Sequence, residues 1–339
     1  MREQQRGVLL MSTIKPLGVT FGSLGVLGPA AVTDIARLCQ ATDYQSLWTV
    51  EATGTDAMTL LGAAAATAPG LALGTGIIPI QLRSPTLTAM TAATLQALNP
   101  EGDIYLGIGV SAPGILGQHG QASATRPLAM MREYVALLRD CLSGDRVTFE
   151  GDYYQVKRFS LGIRQGERRP RIIMAALNPK MLALAGEIAD GVLLNYLPIS
   201  HVGPSVEAVR SGGPATIYAY VHACVGSLDA RRKSAKRDLF NYAMADGYAA
   251  MFSRAGFADE IEVLRERFKA GDREGALDAI SDRMIQAIDF IGGAEDIGHF
   301  VEDYRDAGVE HPILMPMPWG DDRWDVTVQT MAAARNGRG

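Results

Sequence analysis

One stretch, residues 71–114 (LALGTGIIPIQLRSPTLTAMTAATLQALNPEGDIYLGIGVSAPG), restricts the possible folds more than any other. An apolar run broken by glycine leads into a helical pattern opened by Pro85, and a second apolar run follows at 104–108. Short apolar runs on either side of a helix read as a strand–helix–strand unit, and a helical crossover makes the two strands parallel. Their C-terminal ends then lie on the same side of the sheet, so Gly76-Ile77-Ile78-Pro79 and Gly109-Val110-Ser111 form one floor of a pocket. Gly74 and Gly76 sit inside a strand pattern, where glycine is unfavourable. They read either as a bulge with close approach of backbone to a ligand, or as a tight strand end with no ligand.

The same alternation runs through the chain. Strand patterns at 17–21 and 46–50 are followed by helical ones at 30–41 and 56–67, and a glycine-rich loop at 22–29 exposes backbone after the first strand. The Gly62-Ala63-Ala64-Ala65-Ala66 run lets another helix pack closely, either a barrel neighbour or a dimer partner. A helix at 126–142 and a hairpin at 147–156 come next. Strands at 171–175, 192–194, 216–224 and 312–315 and helices at 179–189, 295–307 and 324–335 complete the pattern. Residues 229–287 read as mostly helical and longer than one barrel helix requires, an insertion covering one end of the barrel. About eight strands alternating with helices predict a single (β/α)8 TIM barrel with insertions over residues 15–336; a doubly wound open sheet is the alternative. Residues 1–14 read as disordered, or as preceding a start at Met11.

With 339 residues, 47% of them hydrophobic, the chain can bury a large core, and a formal charge of −5 argues against a nucleic-acid partner. A small-molecule substrate is expected. Cys39, Cys141 and Cys224 are far apart and form no CxxC pair, which fits a reducing cytoplasm and gives no metal site. Residues 57–82 carry no charge, but Pro69-Gly70 divides them into a helix and a strand, so no membrane span is expected.

LGTGIIPI followed by RSPTLTAMTAATLQALNPEGDIYLGIGVS resembles the strand-three to strand-four region of the luciferase-like flavin and deazaflavin enzymes, particularly those using coenzyme F420. RIIMAALNPKMLALAGEIADGVLLNYL, residues 171–197, carries a second part of that resemblance and favours the F420 branch over FMN. The resemblance implies a non-prolyl cis bond at Gly76–Ile77 behind the cofactor ring. It implies cofactor contacts from Thr75, Gly76, Ile77, Gly109 and Ser111, and a ribityl-phosphate side built by Ala175, Ala176, Leu177, Asn178 and Asn195. The residues themselves allow that phosphate site, because a helix N-terminus opened by Asn178-Pro179 offers donors and a positive dipole end. They equally allow a helix merely capped by Asn178.

Glu51, directly after strand two, is the candidate catalytic residue: related enzymes often carry an acid there that bonds the deazaflavin or its substrate. A surface-loop glutamate is the plain alternative. The acid–base partners of the sugar-phosphate dehydrogenase branch fall on Ala52 and Ala112, and the strand-one glutamate of the pterin reductases falls on Thr20. Neither activity transfers. The expected function is hydride transfer between F420 and a small organic substrate by a homodimer; FMN-dependent monooxygenation and cofactor binding without turnover are the alternatives. His119 reads as a solvated loop residue and His222 as a buried, satisfied one. Arg164, Arg168, Arg169 and Arg171 fall at the barrel's N-terminal end, and the 231–237 basic run reads as an exposed helix face or a contact for the anionic tail of F420.

Overall fold

The computed structural model describes residues 15–336 and contains a closed parallel barrel of eight strands. β1 (Gly18–Thr20), β2 (Ser46–Thr49) and β3 (Ala72–Thr75) are followed by α1 (Ala31–Ala41), α2 (Ala57–Thr67) and α3 (Pro85–Leu98). A two-residue continuation, β4 (Ile78–Pro79), pairs with β5 (Ile104–Gly109). Then come α4 (Pro113–Gln118), α5 (Pro127–Ser143) and a separate hairpin, β6 (Val147–Glu150) with β7 (Gln155–Phe159). β8 (Arg171–Ala175), α6 (Pro179–Ile188), β9 (Gly191–Leu194), α7 (Ile199–Arg210) and β10 (Thr216–Val225) resume the alternation. β10 pairs with β9 on one side and with β12 (His311–Pro316) on the other, and β12 pairs with β1, which closes the ring. The open-sheet alternative is thereby excluded.

The expected insertion is present as α8 (Leu228–Ala243), α9 (Asp246–Phe252), a π turn at Ser253–Phe257, α10 (Ala258–Lys269), α11 (Arg273–Asp278) and α12 (Asp282–Ile288). It ends in a strand the sequence reading did not anticipate, β11 (Asp289–Gly292), which pairs with the C-terminal half of β10 outside the ring. α13 (Ala294–Asp306) and α14 (Arg323–Arg335) complete the chain. α7 was also unread, and Pro204 sits inside it. A proline there removes one backbone bond, and the apolar face carrying Val202 and Val209, both fully buried, holds the helix in place regardless.

Gly74 and Gly76 are also required by the protein's own packing. The lower barrel is filled by Trp48 stacked on Tyr105, centroids 5.4 Å apart, and by Tyr218 stacked on His311 at 4.8 Å. A Cβ at Gly74 would stand 2.5 Å from the Trp48 ring, and one at Gly76 would overlap the Tyr220 hydroxyl. These glycines make room for the protein's own aromatic rings. Tyr220 Oη donates across the lumen to Gly76 O at 3.1 Å, and the Gly76–Ile77 bond is cis, as the resemblance implies.

Candidate active site

The strand C-termini bring most of the expected cofactor residues together. A Cβ on Gly109 would lie 3.1 Å from Ile77 Cδ1 and 3.3 Å from Ala175 Cβ, so these three residues form a flat patch with little side chain. Ala176 N donates to Leu193 O at 3.4 Å, which sets Ala176 beside the end of β9, where Asn195 follows. Ser111 lies half-buried just past β5. Thr75 is the exception: its hydroxyl donates to Gly107 O at 2.7 Å and the residue is buried. Alternation along β3 gives the lumen to Gly74 and Gly76 and turns Thr75 away from it.

Glu51 stands at the end of β2 with its carboxylate already partnered. Arg83 Nε and Nη2 donate to its two oxygens at 2.8 Å each, and Ala57 N donates to Oε2 at 3.4 Å. The same guanidinium reaches Asp56, whose Oδ1 also accepts from Thr59 N at 2.7 Å and so caps α2. Burial pushes the Asp56 carboxyl up, but the bonds from Thr59 and the charge of Arg83 outweigh it, and its pKa is lowered overall. Arg83 was not singled out from the sequence, because nothing local marks a residue 32 positions from Glu51 as its partner.

At the α6 N-terminus, Asn178 occupies the cap position without capping. Its Oδ1 accepts from Arg254 Nη2 at 2.7 Å, and Leu177 O accepts from the same nitrogen at 3.4 Å. The first turn of α6 carries no acidic residue. A positive helix end with a guanidinium beside it can hold an anion. Arg254 comes from the π turn of the insertion, where Gly256 has φ 97°, and sequence reasoning missed it.

Asn195, on the opposite flank, is held by both ends of its amide. Oδ1 lies 2.9 Å from His222 Nε2, and Nδ2 donates to Tyr248 Oη at 3.2 Å. His222 is buried and satisfied, as expected of a barrel-strand histidine, with Nδ1 3.1 Å from Asp289 Oδ1. Tyr196 packs on Tyr242 at 3.7 Å between centroids and its hydroxyl donates to Asp238 Oδ2 at 2.7 Å. Among the described residues, His222, Asp238 and Asp289 bring ligand atoms within 4.8 Å of one another, a grouping that histidine spacing along the chain did not reveal.

His119 is exposed, its Nε2 2.6 Å from Ala52 O. Arg168 and Arg171 pair with Asp103 at the barrel's N-terminal end. In the basic run, Arg232 and Lys236 meet Asp282 and Asp278 on the surface, whereas Arg231 turns inward and its Nε is buried. Two surface recesses lie away from the strand C-termini: one of about 260 Å³ between α2 and α3, and one of about 780 Å³ beside Arg168 and Arg171.

A closed (β/α)8 barrel with a flat patch and an anion-ready helix end at its strand C-termini has the build of a barrel enzyme, because sites of this fold sit at that face. Residues 7–311 match the luciferase-like monooxygenase family, and the chain belongs to it. Among curated relatives it is 26% identical over 305 residues to a 5,10-methylenetetrahydromethanopterin reductase of Methanolobus tindarius, covering 86% of this chain and 91% of the relative. Among solved structures it is similar to the coenzyme F420 dependent tetrahydromethanopterin reductase of Methanopyrus kandleri, with TM-score 0.76, 19% identity and 94% and 97% of the two chains covered. It is also similar to an F420-dependent secondary alcohol dehydrogenase in complex with an F420–acetone adduct, with TM-score 0.71, 18% identity and 95% and 99% covered. No helix among the described residues is long and apolar enough to cross a membrane.

Proposed function

We propose that the protein is an F420-dependent oxidoreductase that moves a hydride between the deazaflavin and a small organic substrate. The observation that carries this reading is the two-part site: the flat patch of Ile77, Gly109 and Ala175 on one side, and the α6 N-terminus with Arg254 on the other. A planar ring with an anionic arm fits that division. F420, when bound, supplies the hydride-carrying carbon; the chain supplies position and shelter. Ile77, Gly109 and Ala175 back the ring, while Ser111 and Ala176 line its edge. Leu177 and Asn178 present the helix end to the phosphate side, and Arg254 adds its charge. Asn195 offers an amide whose direction is fixed by His222 and Tyr248. Tyr248 and Arg254 bring the insertion onto this flank.

Glu51 is assigned the role of orienting group. A carboxylate gripped by the Arg83 fork can accept one more hydrogen bond from a ligand in a fixed direction. The F420-dependent relatives act on different substrates by name, and this chain has Thr20, Ala52 and Ala112 where two branches carry acid–base groups. Thr20 Oγ1 is occupied by Gly22 N at 3.0 Å and Trp48 O at 3.4 Å, so it does not stand in for the glutamate of the pterin reductases.

Parallel titration with F420 and FMN tests the reading. F420 binds more tightly, with quenching of its fluorescence, and is reduced or oxidised by a small-molecule panel. Equal or tighter FMN binding with oxygen-dependent substrate oxidation moves the assignment to a monooxygenase; tight F420 binding with no turnover on the panel leaves a cofactor-binding protein.

The expected homodimer is proposed to form through α2 and α3. Leu87, Met90 and Leu98 are 45%, 48% and 62% exposed beside a recess floored by Gly62, with no charged residue lining it. Sedimentation of the protein and of Met90→Lys checks it: the variant sediments as a monomer if this face is the interface.

A further inference from the structure

Three side chains able to ligate a metal, from three different elements, meet beside Asn195. β11 pairs with β10 so that Asp289 stands opposite His222, and Asp238 reaches them from α8. His222 Nδ1 lies 3.1 Å from Asp289 Oδ1, and the three residues bring ligand atoms within 4.8 Å of one another. Bonds from nitrogen or carboxylate oxygen to a divalent transition ion are about 2.0–2.2 Å long, which sets neighbouring donor atoms about 3.0–3.5 Å apart. The imidazole and the Asp289 carboxyl already stand at that spacing. Among the described residues, neither carboxyl has a lysine or arginine partner.

A second observation is an orphaned atom. Asp289 is 0% exposed, and its Oδ2 is buried with no hydrogen-bond partner among the described residues. A bare buried carboxylate oxygen is costly, and a bound ion is one of the few partners that satisfy it. The bonds around the group have the pattern of an outer shell. Asn195 Nδ2 is engaged by Tyr248 Oη, so Asn195 Oδ1 accepts from His222 Nε2 at 2.9 Å, and the Nδ1 lone pair faces the carboxyls. Tyr196 Oη donates to Asp238 Oδ2 at 2.7 Å. Metal-ligating histidines and carboxylates are oriented in this way through their other polar atoms. A nitrogen and carboxylate oxygens, all acceptors turned toward one another, need a cation between them.

We propose that His222, Asp238 and Asp289 bind one divalent ion of the zinc, manganese(II) or iron(II) class, which fastens the helical insertion to barrel strand β10. One imidazole with two carboxylates suits these ions better than magnesium or calcium, which take oxygen ligands, or copper(I), which takes thiolates and thioethers. Asp238 is partly exposed and gives the ion a way in. The site does not rest on the F420 reading.

Untagged protein, stripped with chelator and dialysed, is titrated with Zn2+ and with Mn2+ in a calorimeter. It takes up about one ion per chain. With free ion about 100-fold above its Kd, the thermal midpoint of the stripped protein rises by about 4 °C, and the same concentration of Mg2+ leaves it in place. Asp289→Asn and Asp238→Asn each weaken binding at least about 100-fold, because each removes a ligand, and losing an outer-shell partner alone already costs about 10–100-fold. Should Asp289→Asn fail to fold, Asp238→Asn at the partly exposed edge still reads the site. Asp278→Asn, at an exposed acid paired with Lys236, binds as the wild type does. Stripped wild type that takes up neither Zn2+ nor Mn2+ overturns the proposal, and His222 Nδ1 is then an ordinary donor to Asp289. Uptake retained by either ligand variant overturns it as well, because the ion then sits elsewhere. An equal response to Mg2+ overturns the ion class.

Discussion

On the β2–β3 side of the barrel mouth, Glu51, Asp56 and the base Arg83 meet where water still reaches them; on the β9–β10 side, Asp289 and the base His222 meet where it does not, with Asp238 at their partly exposed edge. Glu51 and Arg83 have side chains 11% and 14% exposed and Asp56 is 46% exposed. His222 and Asp289 are 1% and 0% exposed. With a guanidinium as the base, both acids ionise and the cluster is held by charge. With an imidazole in a dry site, burial disfavours the charged base and pushes the pKa of Asp289 up as well. The same three ingredients therefore titrate in opposite directions according to the base and the water around it.

Replacing Arg83 breaks the wet cluster with the largest expected effect. Arg83→Met leaves Glu51 nearly buried without its partner, and breaking such a pair costs about 3–5 kcal/mol when fully buried; the exposure of Asp56 trims this to about 2–3 kcal/mol. Denaturant unfolding at neutral pH reads the loss. The Asp56 pKa is lowered in the fold, so its contribution is present above the ordinary value of 3.8 and disappears as pH falls through the lowered one. The penalty of Arg83→Met accordingly shrinks in acid, whereas the raised pKa of Asp289 gives a contribution that is lost as pH rises. A penalty independent of pH would mean that Arg83 acts by packing alone.

Arg254→Ala sharpens the comparison with a third cationic site, one whose partner is proposed to be the ligand itself. Removing a charge-assisted bond lowers F420 affinity about tenfold, and salt narrows the difference. Stability changes by less than about 0.5 kcal/mol, because the bond to Asn178 is exposed. Wild-type affinity in this variant would remove Arg254 from the phosphate side.

Glu51→Gln has the smallest expected effect on binding and costs the fold about 1 kcal/mol, since the amide keeps one acceptor for Arg83 but not the charge. F420 binding stays within about threefold if Glu51 only orients a ligand. Turnover lower by about 10²-fold or more with binding intact would show that Glu51 exchanges a proton, and the orienting assignment would fall.

The barrel was legible because its signals are local. Apolar runs of strand length between helical patterns can bury themselves in few ways, so the 71–114 unit and its repeats led to a closed α/β barrel. Pro85 after Ser84 and Pro179 after Asn178 marked helix starts correctly. Residues 199–210 were left unread, because Gly203-Pro204 interrupts the helical signal that the buried face of α7 overrides. The floor of the site was legible through resemblance, and Ile77, Gly109, Ala175, Ala176 and Asn195 do converge. Thr75 does not, because its neighbours Gly74 and Gly76 occupy the lumen side.

By itself, the sequence determined the order and period of the elements, the flat strand ends and the position of Glu51 after β2, since each depends on residues adjacent in the chain. Which charges meet was decided only by the tertiary structure. Glu51 and Arg83 are 32 positions apart, Asn178 and Arg254 76, and His222 and Asp289 67. Asp289 in particular reads as an ordinary acid at a helix end until β11 pairs it with β10 in register with His222. Burial then pushes the pKa of that carboxyl up, because the cost of a charge depends on the water and partners around it.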